Sequence, residues 1–413
     1  MTDTVESTAP KTAHFAGAAA AAAAGIGVDG NAAQPPDETP DAAVARPPYL
    51  GKPELDQLFS VEEIEPLAAE RMHPTAYEYV RGWAGTGWTT RQNVQAFRRW
   101  VFRPRVLVDV SEVSTATTVL GTPVSMPILF APTSVHQLAH PHGELATARA
   151  AKALDTLQVL STGSSVRLEE VAEMGHKRWF QLYWYTDKEL TRSLVERAAA
   201  AGYGAIVLTV DASYPYWREN EARTTTVKPE GMIAANLPAE IWGLAYEATL
   251  TWKSLEWLRS ISPLPLVLKG IVRADDARLA AEHGVDGIMV SNHGGREVDG
   301  GIPTLDALPA IAEAVAKTSA RPATGRPMEV YLDGGVRRGT DVLKALALGA
   351  RAVLLGRPVQ WGLAAGGEAG IVRMLELISG EFHSALGLVG ATRVDDVTRA
   401  MVARNPDPTA GRD

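Results

Sequence analysis

Residues 329–358 read EVYLDGGVRRGTDVLKALALGARAVLLGRP, and the parsing of this stretch decides the fold. An apolar run at 329–334 ends on Asp333-Gly334-Gly335, an Ala- and Leu-rich amphipathic segment follows at 339–350, and a second apolar run at 352–357 ends on Gly356-Arg357. Short buried runs that flank an amphipathic helix make a β–α–β unit with parallel strands, because a parallel pair needs a crossover and both faces of its sheet are covered.

The same alternation extends in both directions. Strands are expected at 127–132 (PILFAP), 157–162 (LQVLST), 178–184 (RWFQLYW), 204–211 (GAIVLTVD), 265–271 (PLVLKGI), 286–293 (DGIMVSNH), 329–334 and 352–357. Amphipathic segments lie between them at 143–154, 188–202, 274–284 and 339–350. Eight buried strands alternating with helices over about 230 residues predict an α/β protein with a (β/α)8 TIM barrel. A doubly wound open sheet is the rival, but it expects a Gly-rich phosphate turn after its first strand. Here that strand ends in APTSVHQLAHPHG, and the Gly-rich turns follow strands seven and eight, where barrels commonly hold phosphate. A helical lead-in precedes the barrel: SVEEIEPLAAERM (60–72) with Ser60 as N-cap, then PTAYEYVRGWAG (74–85).

Composition bounds the rest. The chain has 413 residues, with Lys+Arg 40 against Asp+Glu 48 and a net charge of −8, and no basic block marks a nucleic-acid partner. Cys is absent, which removes thiolate chemistry and Cys-ligated metals. Outside the Ala-rich start no apolar run reaches the roughly 18 residues of a membrane span. The segment AHFAGAAAAAAAGIG (13–27) imitates a signal peptide, but its acidic start argues for a cytoplasmic protein. Residues 1–47 read as a disordered low-complexity leader, 48–403 as the barrel domain and 404–413 as a flexible tail.

In a barrel the active site is built at the C-terminal ends of the strands. The residues delivered there are Pro132, Thr133 and Ser134, Ser161, Gln181 and Tyr183, Thr209 and Asp211, Lys269, His293 with Arg296, Asp333, Gly334 and Gly335 with Arg337, and Gly356 with Arg357. Singly, a rim Lys is a solvated residue and an Asp before a helix is a cap. Together, a converging set of Lys, His, Asp and Arg side chains calls for an anionic ligand. The glycines after strand seven and the helix start that follows suit a phosphate, with Arg337 and Arg357 beside it. His136, His140 and His142 follow no ligand spacing, and no metal is expected.

From about residue 52 to 400 the chain resembles the FMN-dependent α-hydroxy-acid oxidase and dehydrogenase family, which includes glycolate oxidase, lactate oxidase, lactate 2-monooxygenase and mandelate dehydrogenase. The likeness rests on NVQAFRRWVFRPRVL, HPHGELATARAA, FQLY, LTVD, LKGI, SNHGGREVDGG, DGGVRRGTDVLKALALGA and GRP. YWR at 216–218, TWKSLEWLRSI at 251–261 and GGIPTLDALP at 300–309 lean toward the monooxygenase.

The resemblance implies non-covalent FMN and oxidation of an L-2-hydroxy acid to the 2-oxo acid, with hydride passing to flavin N5 and O2 as electron acceptor. It assigns His293 as base with Asp211 as its partner, and Arg218 with Arg296 as the carboxylate clamp. Tyr79 and Tyr183 would bond the substrate, and Lys269 would face the flavin N1/C2 edge. Pro132, Thr133, Ser134, Ser161, Gln181, Thr209, Ser291, Asp333, Gly334, Gly335, Arg337, Gly356 and Arg357 would hold the cofactor. It also implies a homo-oligomer, a tetramer, without a nucleic-acid or membrane partner.

The alternatives are internal oxidative decarboxylation of the hydroxy acid, and an FMN-binding isomerase or non-catalytic flavin scaffold. Ser134 stands where the family usually has Ala or Gly, and Gly163 where short-chain oxidases often carry Trp or Leu. The stretch from Asp211 to Lys269 is shorter than in most relatives.

Overall fold

The computed structural model describes residues 53–214, 218–219, 233–238, 248–320, 322 and 324–407. The leader 1–47 and most of the stretch between Tyr214 and Thr249, including Tyr216 and Trp217, lie outside the described residues.

Eight parallel strands close into a barrel: β1 (Ile128–Phe130), β2 (Leu157–Leu160), β3 (Lys177–Leu182), β4 (Ile206–Thr209), β5 (Leu266–Ile271), β6 (Gly287–Val290), β7 (Glu329–Asp333) and β8 (Ala352–Leu355). Each strand pairs with the next, and β8 closes on β1 with Leu354 opposite Leu129. Closure excludes the open doubly wound sheet. Each expected strand is present, trimmed by a few residues where the chain turns toward the site; Asp211 and His293 lie just past the ends of their strands.

The two-residue strand period divides the core. Leu129, Val159, Trp179, Val207, Val267, Met289, Tyr331 and Leu354 fill the barrel interior together with Val119 and Val124 of the antiparallel hairpin Thr117–Val119 and Thr122–Val124. Their neighbours Phe130, Leu160, Phe180, Leu208, Leu268, Ile288, Leu332 and Leu355 pack in the layer shared with the helices. The hairpin closes the N-terminal mouth, where Leu120 N donates to Glu329 at 3.0 Å. The opposite mouth is left for chemistry.

The lead-in is helical at Val61–Arg71 and Pro74–Arg81, followed by a further helix, Trp88–Gln95, that the sequence pattern does not reveal. Ser60 precedes the first of these without making a side-chain capping bond. At the other end, Arg404, where the tail was expected to begin, is the last residue of strand Val402–Arg404, paired antiparallel with Trp100–Phe102, and Asn405 N still reaches Arg99 O at 2.8 Å. Among the described residues no helix is long and apolar enough to cross a membrane.

Candidate active site

The C-terminal mouth holds a cleft lined by residues from both ends of the sequence. Tyr79 comes from the second lead-in helix, Thr133 and Ser134 from the turn after β1, Tyr183 follows β3, and Lys269 lies on β5. His293 and Arg296 follow β6, Gly334 to Arg337 follow β7, and Gly356 and Arg357 follow β8. Parallel strands all point the same way, so residues more than 200 positions apart share one rim.

His293 Nδ1 lies 3.0 Å from Asp211 Oδ1. Burial pushes the Asp211 carboxyl up, but the opposing pull of His293 and Lys269 and the hydrogen bonds it accepts leave its pKa below the ordinary value. An ionised Asp211 is an acceptor only, so it selects the His293 tautomer with the proton on Nδ1, which leaves the lone pair on Nε2. The backbone of His293 is left-handed at φ 57°, as are Gly294 and Gly295 after it, and this tight turn brings Arg296 back toward the cleft.

Lys269 is 4% exposed. Its Nζ donates to Ser291 Oγ at 3.1 Å and lies 3.5 Å from Asp333 Oδ2. Burial depresses its pKa, but Asp333 and Asp211 outweigh this and hold it above the usual lysine value. It is therefore a fixed cation on the cleft wall. Ser291 also accepts from His293 N at 3.1 Å, which ties the lysine to the histidine turn.

Arg218 and Arg296 both line the cleft, each anchored by part of its guanidinium. Arg296 Nη1 donates to Tyr79 O at 2.8 Å and Gly82 O at 3.0 Å, and its guanidinium stands 5.3 Å from the Tyr79 ring centroid. Arg218 donates to Arg296 O at 2.9 Å and to Glu297 Oε1 at 2.7 Å. Glu297 was not anticipated; it follows Arg296 directly, and only the fold brings it to Arg218.

The other wall is a polar relay. Ser134 Oγ meets Ser161 Oγ at 3.1 Å, Ser161 Oγ meets Gln181 Oε1 at 3.2 Å, and Gln181 Nε2 donates to Thr209 Oγ1 at 2.9 Å. Ser161, Gln181, Thr209 and Ser291 stand behind the lining rather than in it, whereas Pro132, Thr133, Ser134, Asp333, Gly334, Gly335, Arg337, Gly356 and Arg357 reach the cleft. Gln360, which the sequence reading missed, also lines it and reaches Ser134 O at 3.4 Å. His136 is buried between Thr133 Oγ1 at 2.7 Å and Thr147 Oγ1 at 2.8 Å, and no group of three His, Cys, Asp or Glu side chains among the described residues is placed to hold a metal.

The anion end differs from expectation in one respect. The helix start after β7 is already capped from within: Asp341 accepts from Arg337 N and Arg338 N at 3.0 Å, and Glu381 accepts from Gly339 N at 2.9 Å. The helix start facing the cleft is the one after β8, where Gly356 brings no side-chain cap and Arg357 begins a helix to Gly366. Arg357 is half-buried beside Arg296 and Arg337; desolvation first, and those two cations next, push its pKa down to about 9. It donates to Gly294 O at 3.0 Å and Gly82 O at 2.7 Å, while its Nε is buried without a partner among the described residues. Such a cluster suits an anionic ligand.

A barrel that gathers a histidine–carboxylate pair, two cleft-lining arginines and a further cluster of cations at a helix start on the same cleft is that of an enzyme handling an acidic substrate beside a phosphorylated cofactor. Residues 68–404 match the FMN-dependent dehydrogenase family, and the chain belongs to it.

An L-lactate oxidase from Nostoc sp. is 49% identical over 361 residues, covering 82% of this chain and 96% of that protein. The human 2-hydroxyacid oxidase 1 is 42% identical over 372 residues, covering 85% and 98%. A crystal structure of mandelate oxidase with 3,3-difluoro-2-hydroxy-3-phenylpropionic acid superposes with a TM-score of 0.78 at 40% identity, covering 84% of this chain and all of that one.

FMN is the cofactor of this enzyme, and the cleft fits it. The unsatisfied Arg357 Nε suits a phosphate, and the buried Gln360 Oε1 and Asp333 Oδ1, also without partners among the described residues, suit a ligand rich in hydrogen-bonding groups.

Proposed function

We propose that this enzyme oxidises an L-2-hydroxy acid to the 2-oxo acid, with O2 as the terminal acceptor yielding H2O2. The observation that carries the reading is His293, backed by Asp211, in the same cleft as Arg218, Arg296 and Lys269. FMN, when bound, supplies the two-electron acceptor.

The chain's own residues supply binding and proton transfer. Arg218 and Arg296 hold the substrate carboxylate by charge-assisted contacts, which fixes the orientation of the α-carbon. Tyr79 and Tyr183 contribute hydroxyl contacts to the bound acid. His293 accepts the hydroxyl proton at Nε2, and Asp211 stabilises the imidazolium that results. Lys269 remains protonated at neutral pH and offsets negative charge that develops on the cofactor edge. The cofactor phosphate lies at the Arg357 end, served by the turn Gly334–Gly335, by Gly356 and by Arg337, and Pro132, Thr133 and Ser134 with the Ser161–Gln181–Thr209 relay behind them bear on its ring system. The acidic start of the leader supports a cytoplasmic location.

The test is an anaerobic screen of 2-hydroxy acids against the flavin absorbance of the purified yellow protein, followed by product analysis in air. Bleaching by an L-acid, with 2-oxo acid and H2O2 formed in equal amounts, is expected. A carboxylic acid one carbon shorter together with CO2 would replace this reading with internal oxidative decarboxylation, and no bleaching by any hydroxy acid would overturn it.

A further inference from the structure

We propose that the helix Trp88–Gln95 is a splint that sets the base turn after β6 and the anion turn after β7 in one frame, and that Asn93 is its positioning residue. The inference rests on the roles given above to His293 and to the Gly334–Gly335 turn.

Thr89, Thr90 and Asn93 fall on one face of this helix by the i, i+3, i+4 rule, and that face meets the base turn along its length. Thr90 Oγ1 donates to Gly294 O at 3.1 Å, and Thr89 Oγ1 accepts from Gly301 N at 3.1 Å. Ahead of the helix, Ala84 N donates to Gly295 O at 2.9 Å. Asp299, from the far end of the same turn, accepts from Thr86 N at 2.8 Å, Thr86 Oγ1 at 2.6 Å and Thr89 N at 3.0 Å, and so caps the helix.

At the other end Asn93, 1% exposed, makes a reciprocal amide pair with Asn292, the residue before the base. Asn93 Nδ2 donates to Asn292 Oδ1 at 2.8 Å, and Asn292 Nδ2 donates to Asn93 Oδ1 at 2.9 Å. Asn292 Oδ1 also accepts from Gly295 N at 3.2 Å, closing the left-handed turn that carries His293. That backbone conformation is costly for a residue with a Cβ, so an outside brace is required to keep it.

Asn93 reaches the second turn as well. Its Oδ1 accepts from Thr304 N at 3.2 Å, and Thr304 Oγ1 donates to Asp333 O at 2.6 Å. The helix backbone is pressed against both turns: a Cβ on Gly295 would stand 2.6 Å from Thr90 N, and one on Gly335 2.2 Å from Asn93 O. Only a short side chain with both a donor and an acceptor can serve Asn292 and Thr304 together, and an amide does so.

The helix face therefore makes two different kinds of contact, which separates positioning from general support. Thr90 touches the base turn alone, and Asn93 touches both turns. The test compares Asn93→Asp, which is isosteric but lacks the donor, with Thr90→Val. The readouts are the FMN dissociation constant from flavin fluorescence, the rate of anaerobic flavin reduction by the best hydroxy acid, and the unfolding temperature.

Asn93→Asp is expected to weaken FMN binding about tenfold and slow reduction about 10- to 100-fold, as misplacement of reacting groups does. Thr90→Val is expected to slow reduction with FMN affinity within about twofold of the parent, because it removes one donor to Gly294 O and leaves Arg357 donating to the same carbonyl. An Asn93→Asp protein that binds FMN as tightly as the parent overturns the proposal, even if no hydroxy acid bleaches the wild type. Equal losses of both properties in both variants, tracking the unfolding temperature, would reduce the helix to general support and also overturn it. If Asn93→Asp does not fold, Asn292→Asp removes the donors facing Asn93 and Ile302 and carries the same two readouts.

Discussion

A Cβ built on Gly163 would lie 2.8 Å from Ser134 Oγ and 3.2 Å from Ser134 Cβ. The backbone at Gly163 lies outside the left-handed region, so the absence of a side chain is matched to its neighbour rather than to a turn that demands glycine. Ser134 lines the cleft and Gly163 stands behind it, so the serine occupies space that a larger residue at 163 would claim.

Substrate size is therefore set by the two positions together. The wild type is expected to favour mandelate-like or longer aliphatic acids over glycolate and lactate in kcat/KM, because added apolar surface gains about 25 cal/mol per Å² on burial. Gly163→Trp should reverse the order, and it should be better tolerated when combined with Ser134→Ala. Kinetics with glycolate, lactate, 2-hydroxyoctanoate and mandelate check this; a wild type that prefers glycolate would contradict it.

Arg218→Met and Arg296→Met should each weaken capture of the hydroxy acid by about 10- to 100-fold in kcat/KM, as loss of a charge-assisted contact costs on the order of 1.5–3 kcal/mol. A neutral amide analogue of the substrate should lose less. Steady-state kinetics on the acid and its amide distinguish the cases, and equal losses would show that neither arginine reads the carboxylate. Arg218→Met carries a second effect, since it strips Glu297 of its partner.

Asp299 gives a pH-dependent term. Partial burial raises its carboxyl pKa, but the hydrogen bonds from Thr86 and Thr89 more than offset this, and the net value lies below the ordinary one. A carboxyl with a lowered folded pKa contributes stability that is complete above its unfolded pKa and is lost as pH falls through the folded one. Asp299→Ala should thus cost roughly 0.5–2 kcal/mol at pH 7, the usual range for a lost cap. The gap to wild type should shrink below about pH 4. Denaturant unfolding of the FMN-loaded proteins at pH 7 and pH 3.5 measures it.

Residues 1–47 should be dispensable, since the family match begins at residue 68 and the Ala- and Pro-rich composition offers no core. A protein lacking them is expected to carry the same flavin content and to unfold at the same temperature. Loss of FMN or aggregation on truncation would contradict this.

The barrel was legible because every strand is a short run buried on both faces, such as Ile206–Thr209 or Gly287–Val290, set apart by Ala-rich helices. Most of the rim was legible for the same reason: once strand ends are known, His293, Lys269 and Arg357 fall on one face. The helix Trp88–Gln95 was not, because WTTRQNVQ carries Thr, Asn and Gln on the face it buries and shows no apolar stripe. Glu297, Gln360 and Asn93 were missed, and the partners of Asp299 unforeseen, because the paired residues are separated in sequence by up to 226 residues and no local spacing announces such a pair. Nor does the sequence show that Glu381 covers the helix start after β7 while the one after β8 faces the cleft.

The central claim is that His293, held by Asp211, removes the substrate's hydroxyl proton. Its most direct test is rapid anaerobic mixing of FMN-loaded His293→Ala with the best hydroxy acid, followed at the flavin absorbance band. FMN content and affinity close to wild type are expected, with reduction slowed by roughly two to four orders of magnitude, the range for removal of a positioned acid–base group. Flavin bleaching in the variant at the wild-type rate would contradict it.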